Sequence, residues 1–175
     1  MTLYHQEIKD RFHLQLGRLV HAYSQFDFNV GLTLGWLGPH HGEDVSALLI
    51  SKIPLAERLK KLKPLVMKTY KPAGEIALAE FETWFAKARE LKAIRNDHVH
   101  ARWGIPSHCE SDDPVLKMLP MNWDFTPEHP DASVDVTLSG LAEQAVAIEK
   151  LTAEFSMLLK KLVAHAVPAY KPPRI

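Results

Sequence analysis

The sequence contains a single cysteine, Cys109, in 175 residues. One cysteine can form neither an intramolecular disulfide nor a zinc site built on several thiolates, so a reducing compartment is expected. Charged residues interrupt every apolar run well before the length needed to cross a membrane. Residues 1–7 also lack the apolar core of a signal peptide. We therefore expect a cytoplasmic protein that does not use a membrane as a partner.

Neither sign of charge is in excess, because 21 basic side chains balance 21 acidic ones. Non-specific coating of nucleic acid depends on surplus Lys and Arg, so the balance argues against that class of protein and still allows a local basic cleft. The sequence also has no Gly-rich phosphate loop, no Gly-x-Ser-x-Gly elbow and no zinc-protease signature. Its length and its 46% hydrophobic content fit one folded domain, residues 1–175.

Four segments carry apolar residues at steps of three and four, the spacing of one helical face. They are approximately residues 7–37, 45–70, 75–102 and 138–167. Pro64 predicts a break or kink in the second segment, and Thr137 or Ser139 is predicted to cap the last one. The pattern predicts an all-α fold, a four- to five-helix up-and-down bundle.

Residues 104–136 interrupt the helical pattern. The segment is rich in proline, and within it the run Val115-Leu116-Lys117-Met118-Leu119 looks extended. We predict an irregular loop or a small hairpin before the last helix. The segment is an insertion in the domain and not a second domain.

One charged residue falls where the third predicted helix should be apolar. At about 100° per residue, Arg95 lies on the same helical face as Trp84, Ala88 and Leu91. An unpaired buried charge is very costly, so this guanidinium must be paired, or must face a cleft or a partner subunit. One interpretation is a structural ion pair with a carboxylate such as Asp27 on the first helix. The other is a functional site, because sequences tend to violate their local patterns at such sites.

The residues around Arg95 also carry a family resemblance. The segment Arg95-Asn96-Asp97-His98-Val99-His100 resembles the signature of HEPN domains, the higher-eukaryote and prokaryote nucleotide-binding family. That signature is an arginine, often followed by asparagine, and then a histidine after four to six residues. Here four residues separate Arg95 from His100, and Asn96 follows the arginine. In the family the motif lies towards the end of a long helix in a four- to five-helix bundle, and Asp27 resembles an acidic position on the first helix of many members.

The resemblance implies a metal-independent endoribonuclease that acts as a homodimer, in a toxin–antitoxin or defence setting with an antitoxin as a possible partner. It assigns catalysis to Arg95, Asn96 and His100, with Asp27, His98 and Arg102 in support. No cofactor and no metal ion are expected. The residue types suit this chemistry, because RNA supplies its own nucleophile, the 2′-hydroxyl. An imidazole can exchange a proton near neutral pH, and a guanidinium can hold a phosphate through two hydrogen bonds.

The spacing of the motif sets a geometric condition. Arg95 and His100 are five positions apart, about 140° around an ideal helix, whereas Asn96 and His100 share a face. Convergence of Arg95 and His100 on one phosphate needs a cleft over the helix end, a distorted last turn or a second subunit. The resemblance favours a second subunit, because family members usually dimerise and bring two motifs to one groove. The alternative function is a non-catalytic helical module that binds a nucleotide, an RNA or a protein partner.

Two further sets of residues allow a functional and a simpler interpretation. His40, His41 and Glu43 could ligate a metal ion in a loop, although a solvated loop is the simpler interpretation. Trp103, just after the motif, could stack on a base or could close the bundle.

Overall fold

The computed structural model describes residues 3–37, 53–71, 74–120 and 133–166. This part of the chain is mostly helical, with 76% of its residues in helices. The helices are α1 (His5–Leu37), α2 (Leu55–Thr69), α3 (Glu75–His100) and α4 (Leu138–Ala166). The strands are β1 (Leu3–Tyr4), β2 (Arg102–Gly104), β3 (His108–Cys109), β4 (Val115–Leu119) and β5 (Val134–Thr137).

Most of each predicted helix is observed, although the second begins only at Leu55, with Ile53 and Pro54 outside it. A break or kink was expected at Pro64: α2 continues through it to Thr69, so the helix does not break there, and a kink stays a prediction. Pro64 is exposed, so the Lys60 carbonyl that loses its helical donor lies on the solvent side, where water can hydrate it. Residues 45–52 of the predicted second helix lie outside the described residues.

The segment before the last helix contains strands. The run predicted to be extended, Val115–Leu119, is strand β4 and pairs antiparallel with β5, so the described part of the segment is a small sheet and not an irregular loop. Strands β2, β4 and β5 form an antiparallel sheet in that order, and β1 pairs with β3. In β4, Leu116 and Met118 are buried while Val115 and Lys117 are exposed, so one face of the sheet is apolar. The all-α prediction therefore holds only as far as a mostly helical chain. Residues 121–132 of the predicted insertion are not among those described.

The start of α4 is capped from two sides. Thr137 Oγ1 accepts a hydrogen bond from the Gly140 amide at 3.0 Å, which confirms Thr137 as the N-cap residue. Asp113 adds a second cap: its carboxylate accepts the Ser139 amide at 2.8 Å and the Ser139 hydroxyl at 2.5 Å. Burial raises the pKa of Asp113, but the hydrogen bonds from Ser139 and Thr137 and the charge of Arg11 outweigh it, so the pKa lies below its ordinary value.

The chain divides into two compact units. Unit 1 comprises Met1–Ser24 and Leu91–Glu149, and unit 2 comprises Gln25–Glu90 and Lys150–Ile175. The boundaries fall within α1, α3 and α4, so each of these helices contributes to both units. All five strands belong to unit 1, and α2 belongs to unit 2.

The core of unit 2 is aromatic and centred on Trp84, which is only 2% exposed. Its ring stacks on Phe155 with centroids 4.3 Å apart and planes 12° apart. Its indole N–H donates to the Leu151 carbonyl at 2.9 Å, so the polar atom is satisfied inside the core. Phe26 and Phe81 lie 5.9 and 5.5 Å from the same ring. Side chains from α1, α3 and α4 therefore meet at one tryptophan.

Candidate functional site

The last turns of α3 carry the Arg95–His100 motif. The backbone at positions 95 and 96 is helical, while the side chains of Arg95 and Asn96 lie outside the described residues. Leu91 and His98, four residues before and three residues after position 95, are both buried, at 6% and 5% exposure. The residues one helical turn to either side of position 95 are therefore buried, and the location of Arg95 itself on that face stays a prediction. The role of the Arg95 guanidinium stays a prediction.

His98 belongs to an aromatic cluster in unit 1, which we call the Phe12–His98–Trp103 cluster. The His98 and Trp103 rings lie 5.8 Å apart, and the Trp103 ring lies 5.0 Å from Phe12. The Trp103 indole also donates a hydrogen bond of 3.1 Å to the His98 carbonyl. The cluster fixes β2 against the end of α3. These contacts favour the interpretation that half-buried Trp103 closes the bundle. Its stacking on a base stays a prediction.

His100 and Arg102 lie at the junction between α3 and β2. His100 is the last residue of α3 and is exposed, and only Ala101 separates it from exposed Arg102 at the start of β2. His98, two positions before His100, is buried, so the two histidines occupy different sides of the helix. This helix–strand junction presents an imidazole and a guanidinium outside the core, two groups that suit an anionic ligand.

Asp27, the acidic residue expected to support the motif, lies in unit 2 and pairs with Arg58. Arg58 Nη1 lies 3.2 Å from the Asp27 carboxylate, and Arg58 Nε donates to the Ile53 carbonyl at 2.9 Å. The Arg58 side chain is 9% exposed and that of Asp27 is 32% exposed. The pair therefore anchors α2 to α1 in unit 2. Whether Asp27 also supports Arg95 stays a prediction.

Sequence reasoning missed Arg58, although the signal that singled out Arg95 was present. Arg58 lies three positions after Leu55 and four before Leu62, both buried, and so falls on the apolar face of α2. A helical wheel of the second predicted helix places Arg58 on its apolar face. A carboxylate partner is established for Arg58, whereas the apolar location of Arg95 stays a prediction.

Within the ranges that the structure describes, no group of three or more His, Cys, Asp and Glu side chains is arranged to hold a metal ion. The loop residues His40, His41 and Glu43 lie outside those ranges.

None of the described helices is sufficiently long and apolar to cross a membrane.

The comparisons with known proteins found no relative of this chain. No protein-family model, no curated protein and no solved structure matches the chain. The candidate site therefore rests on the chain's own residues: the motif on α3, the Phe12–His98–Trp103 cluster behind it, and the exposed helix–strand junction at His100 and Arg102.

Proposed function

We propose that this chain is a HEPN-like helical bundle of up-and-down topology that cleaves RNA without a metal ion, as a homodimer in a toxin–antitoxin or defence setting. The observation that carries the proposal is the end of α3. His100 finishes the helix in an exposed position, and Leu91 and His98, one helical turn to either side of position 95, are buried. Helical spacing predicts that Arg95 lies on the same face, where an arginine is costly for stability alone, which supports a functional role.

The chemistry follows from the residue types. The 2′-oxygen of a ribose attacks the adjacent phosphorus as His100 accepts its proton, and the bond from phosphorus to the 5′-oxygen breaks. The leaving 5′-oxygen takes a proton from water, so the products are a 2′,3′-cyclic phosphate and a 5′-hydroxyl. Arg95 holds the phosphate and stabilises the charge that develops on its oxygens. Asn96 shares a helical face with His100 and orients the imidazole or the phosphate.

Two residues of the junction act in support. Exposed Arg102 is available for the phosphate next to the scissile one. His98 is a positioning residue, because its ring and its carbonyl both contact Trp103 and so hold β2 at the end of α3.

A binding module without catalysis is the second candidate, and the regularity of α3 favours it. The helix stays α-helical to His100, so a distorted last turn does not bring positions 95 and 100 onto one face. Cleavage then needs a cleft over the helix end or a second subunit, whereas binding of a nucleotide, an RNA or a protein partner does not need that convergence.

The test is to incubate purified protein with mixed RNAs in EDTA and to identify the ends of the products. Wild type should leave 2′,3′-cyclic phosphates. His100→Ala and Arg95→Ala, both checked for folding, should each lose activity by about 100-fold or more. His13→Ala is the matched control, because His13 is an exposed helical histidine of the same unit, and it should cleave like wild type.

Three results would count against the proposal. Absence of cleavage by wild type on every RNA tried would favour the binding module, as would equal cleavage by wild type and His100→Ala with measurable RNA binding. Cleavage that EDTA abolishes would contradict the metal-independent mechanism.

A further inference from the structure

Positive charge is concentrated on α2 and the two residues that follow it. Residues 55–71 contain six basic side chains and one acidic side chain, which gives this segment a net charge of +5. The whole chain is balanced at 21 side chains of each sign, so all other residues together carry a net charge of −5. The charge of the protein is therefore unevenly distributed although its total is zero.

Two of the six basic side chains have carboxylate partners within the protein. Arg58 pairs with Asp27, and Lys63 Nζ lies 2.9 Å from the Glu82 carboxylate. The other four are exposed and take no part in the ion pairs of the described residues: Lys60, Lys61, Lys68 and Lys71. Four exposed cations therefore remain available to a partner.

These lysines form a row along one side of α2. At about 100° per residue, Lys60, Lys61 and Lys68 fall within a sector of about 100°, opposite the buried residues of the helix. Lys61 and Lys68 are about 10 Å apart along the helix axis, and Lys71 follows just after the helix ends. We call this row, with the Glu57 that precedes it in the same sector, the outer face of α2.

The surroundings of the row argue against a membrane or a protein as the partner. A helix that binds a membrane surface inserts its apolar face, but the apolar face of α2 is buried in the protein. Protein interfaces are depleted in lysine and depend on buried aromatic or apolar anchors. All residues of α2 are described, and no large apolar side chain among them is exposed.

The backbone of a nucleic acid has the complementary chemistry. It carries one negative charge per nucleotide, and lysines bind its phosphates without apolar anchors and without reading the bases. A flexible single strand can follow a row of charges along one helix.

We propose that the outer face of α2 binds the phosphodiester backbone of a single RNA strand. This surface belongs to unit 2, whereas the Arg95–His100 motif belongs to unit 1. The proposal rests on the proposed function only for its choice of RNA as the polyanion, because the charge of α2 is independent of the motif. The contacts hold a strand on the protein and carry no sequence preference.

The test measures binding of a labelled, mixed-sequence 2′-O-methyl RNA by fluorescence anisotropy, from about 50 to about 200 mM salt. This RNA has no free 2′-hydroxyl, so the proposed cleavage cannot occur and binding is measured separately. Each lysine–phosphate contact adds about 0.7 to the slope of log affinity against log salt. The double variant Lys61→Gln and Lys68→Gln should therefore reduce the slope by about 1.4, which means that wild type loses about 7-fold more affinity over this range.

The matched control is the double variant Lys150→Gln and Lys160→Gln. Both lysines are exposed on α4, outside the ion pairs of the described residues, and their loss changes the net charge by the same amount. This control should keep the wild-type slope.

A third variant should strengthen binding. Glu57 is the only acidic residue of residues 55–71 and lies in the same sector as the lysines. Glu57→Gln removes its repulsion of the phosphates and should raise the affinity by about 2-fold. A gain in affinity cannot arise from a loss of folding.

Four results would overturn the proposal. One is a wild type that does not bind the 2′-O-methyl RNA at about 50 mM salt. Another is an equal slope for the α2 variant and the α4 control. Binding to phosphatidylserine vesicles without binding to RNA would identify a membrane surface, and tighter binding to a polyglutamate peptide of equal charge would identify a protein partner. By contrast, a wild type that binds the 2′-O-methyl RNA with the expected slopes but cleaves no unmodified RNA would support this surface and contradict only the proposed cleavage.

Discussion

The two units of the chain differ in what holds them together. Unit 2 is purely helical in its described part, and its core is a set of aromatic rings around Trp84, with the Arg58–Asp27 pair beside it. Unit 1 mixes helix ends with five short strands; it buries apolar side chains such as Phe12, Leu116 and Leu141, and hydrogen bonds such as Asp113 to Ser139 join segments distant in sequence. The candidate site lies in unit 1, where a helix ends and exposes polar groups. α3 therefore contributes Trp84 to the core of unit 2 and its last turns, which carry the candidate site, to unit 1.

The largest expected effect comes from the centre of unit 2. Trp84→Ala should lower the free energy of unfolding by about 3–5 kcal/mol, because it leaves a large cavity and removes the donor to the Leu151 carbonyl. Urea denaturation followed by circular dichroism measures the loss. Val146→Ala, at an exposed position of α4, should stay within about 0.5 kcal/mol of wild type. A loss below about 1 kcal/mol for Trp84→Ala would contradict an aromatic core centred there.

Loss of the Arg58–Asp27 ion pair in unit 2 should give the next largest decrease in the free energy of unfolding. Arg58→Ala should cost about 2 kcal/mol, because the Ile53 carbonyl and the Asp27 carboxylate both lose a donor in a largely buried place. Lys60→Ala, two positions further along α2 and exposed, is the control and should change the free energy of unfolding little. Equal losses in the two variants would show that the pair is not a structural anchor.

Substitutions at the start of α4, in unit 1, should lower the free energy of unfolding by a smaller amount. Urea denaturation measures this loss as well. Asp113→Ala should cost about 1 kcal/mol, since it removes the second cap from the Ser139 amide and hydroxyl. Thr137→Ala should cost a similar amount, through the bond to the Gly140 amide. If neither substitution changes stability, the caps do not hold α4 in place.

The contribution of Asp113 to the free energy of unfolding should also depend on pH. Its pKa is lowered in the folded chain, so the charged form favours folding: the stabilisation is present above the unfolded pKa of about 3.9 and is lost as the pH falls through the folded pKa. The difference in stability between wild type and Asp113→Ala should therefore be full near neutral pH and shrink in acid. A difference that grows in acid would contradict the lowered pKa. Chemical denaturation at a series of pH values measures it.

Helical periodicity was enough to predict where most of the described helices lie. The first helix was expected over residues 7–37 and spans His5–Leu37, and the third was expected over residues 75–102 and spans Glu75–His100. The strands could not be placed the same way, because each is two to five residues long and its partner is distant: Leu3 pairs with Cys109. Five residues of alternation in β4 fit an extended run but do not identify the neighbouring strands.

The site could be predicted only in part. Sequence spacing located the motif near the end of α3. It did not show that His98 is buried behind Trp103. That burial arises because α3 ends at His100 and β2 brings Trp103 back, and a helix extended to residue 102 could not show it. The Arg58 partner of Asp27 needed both α1 and α2 in three dimensions.

The proposal that unit 1 carries the reactive site while the core of unit 2 supplies stability is tested most directly by one paired measurement. RNA cleavage in EDTA and the unfolding midpoint are measured for His100→Ala and for Trp84→Phe. We expect His100→Ala to unfold like wild type but to cleave at least about 100-fold more slowly. Trp84→Phe should unfold earlier yet keep its cleavage rate below the unfolding transition. A His100→Ala protein that cleaves at the wild-type rate, beside a folded Trp84→Phe protein that does not cleave, would contradict the account.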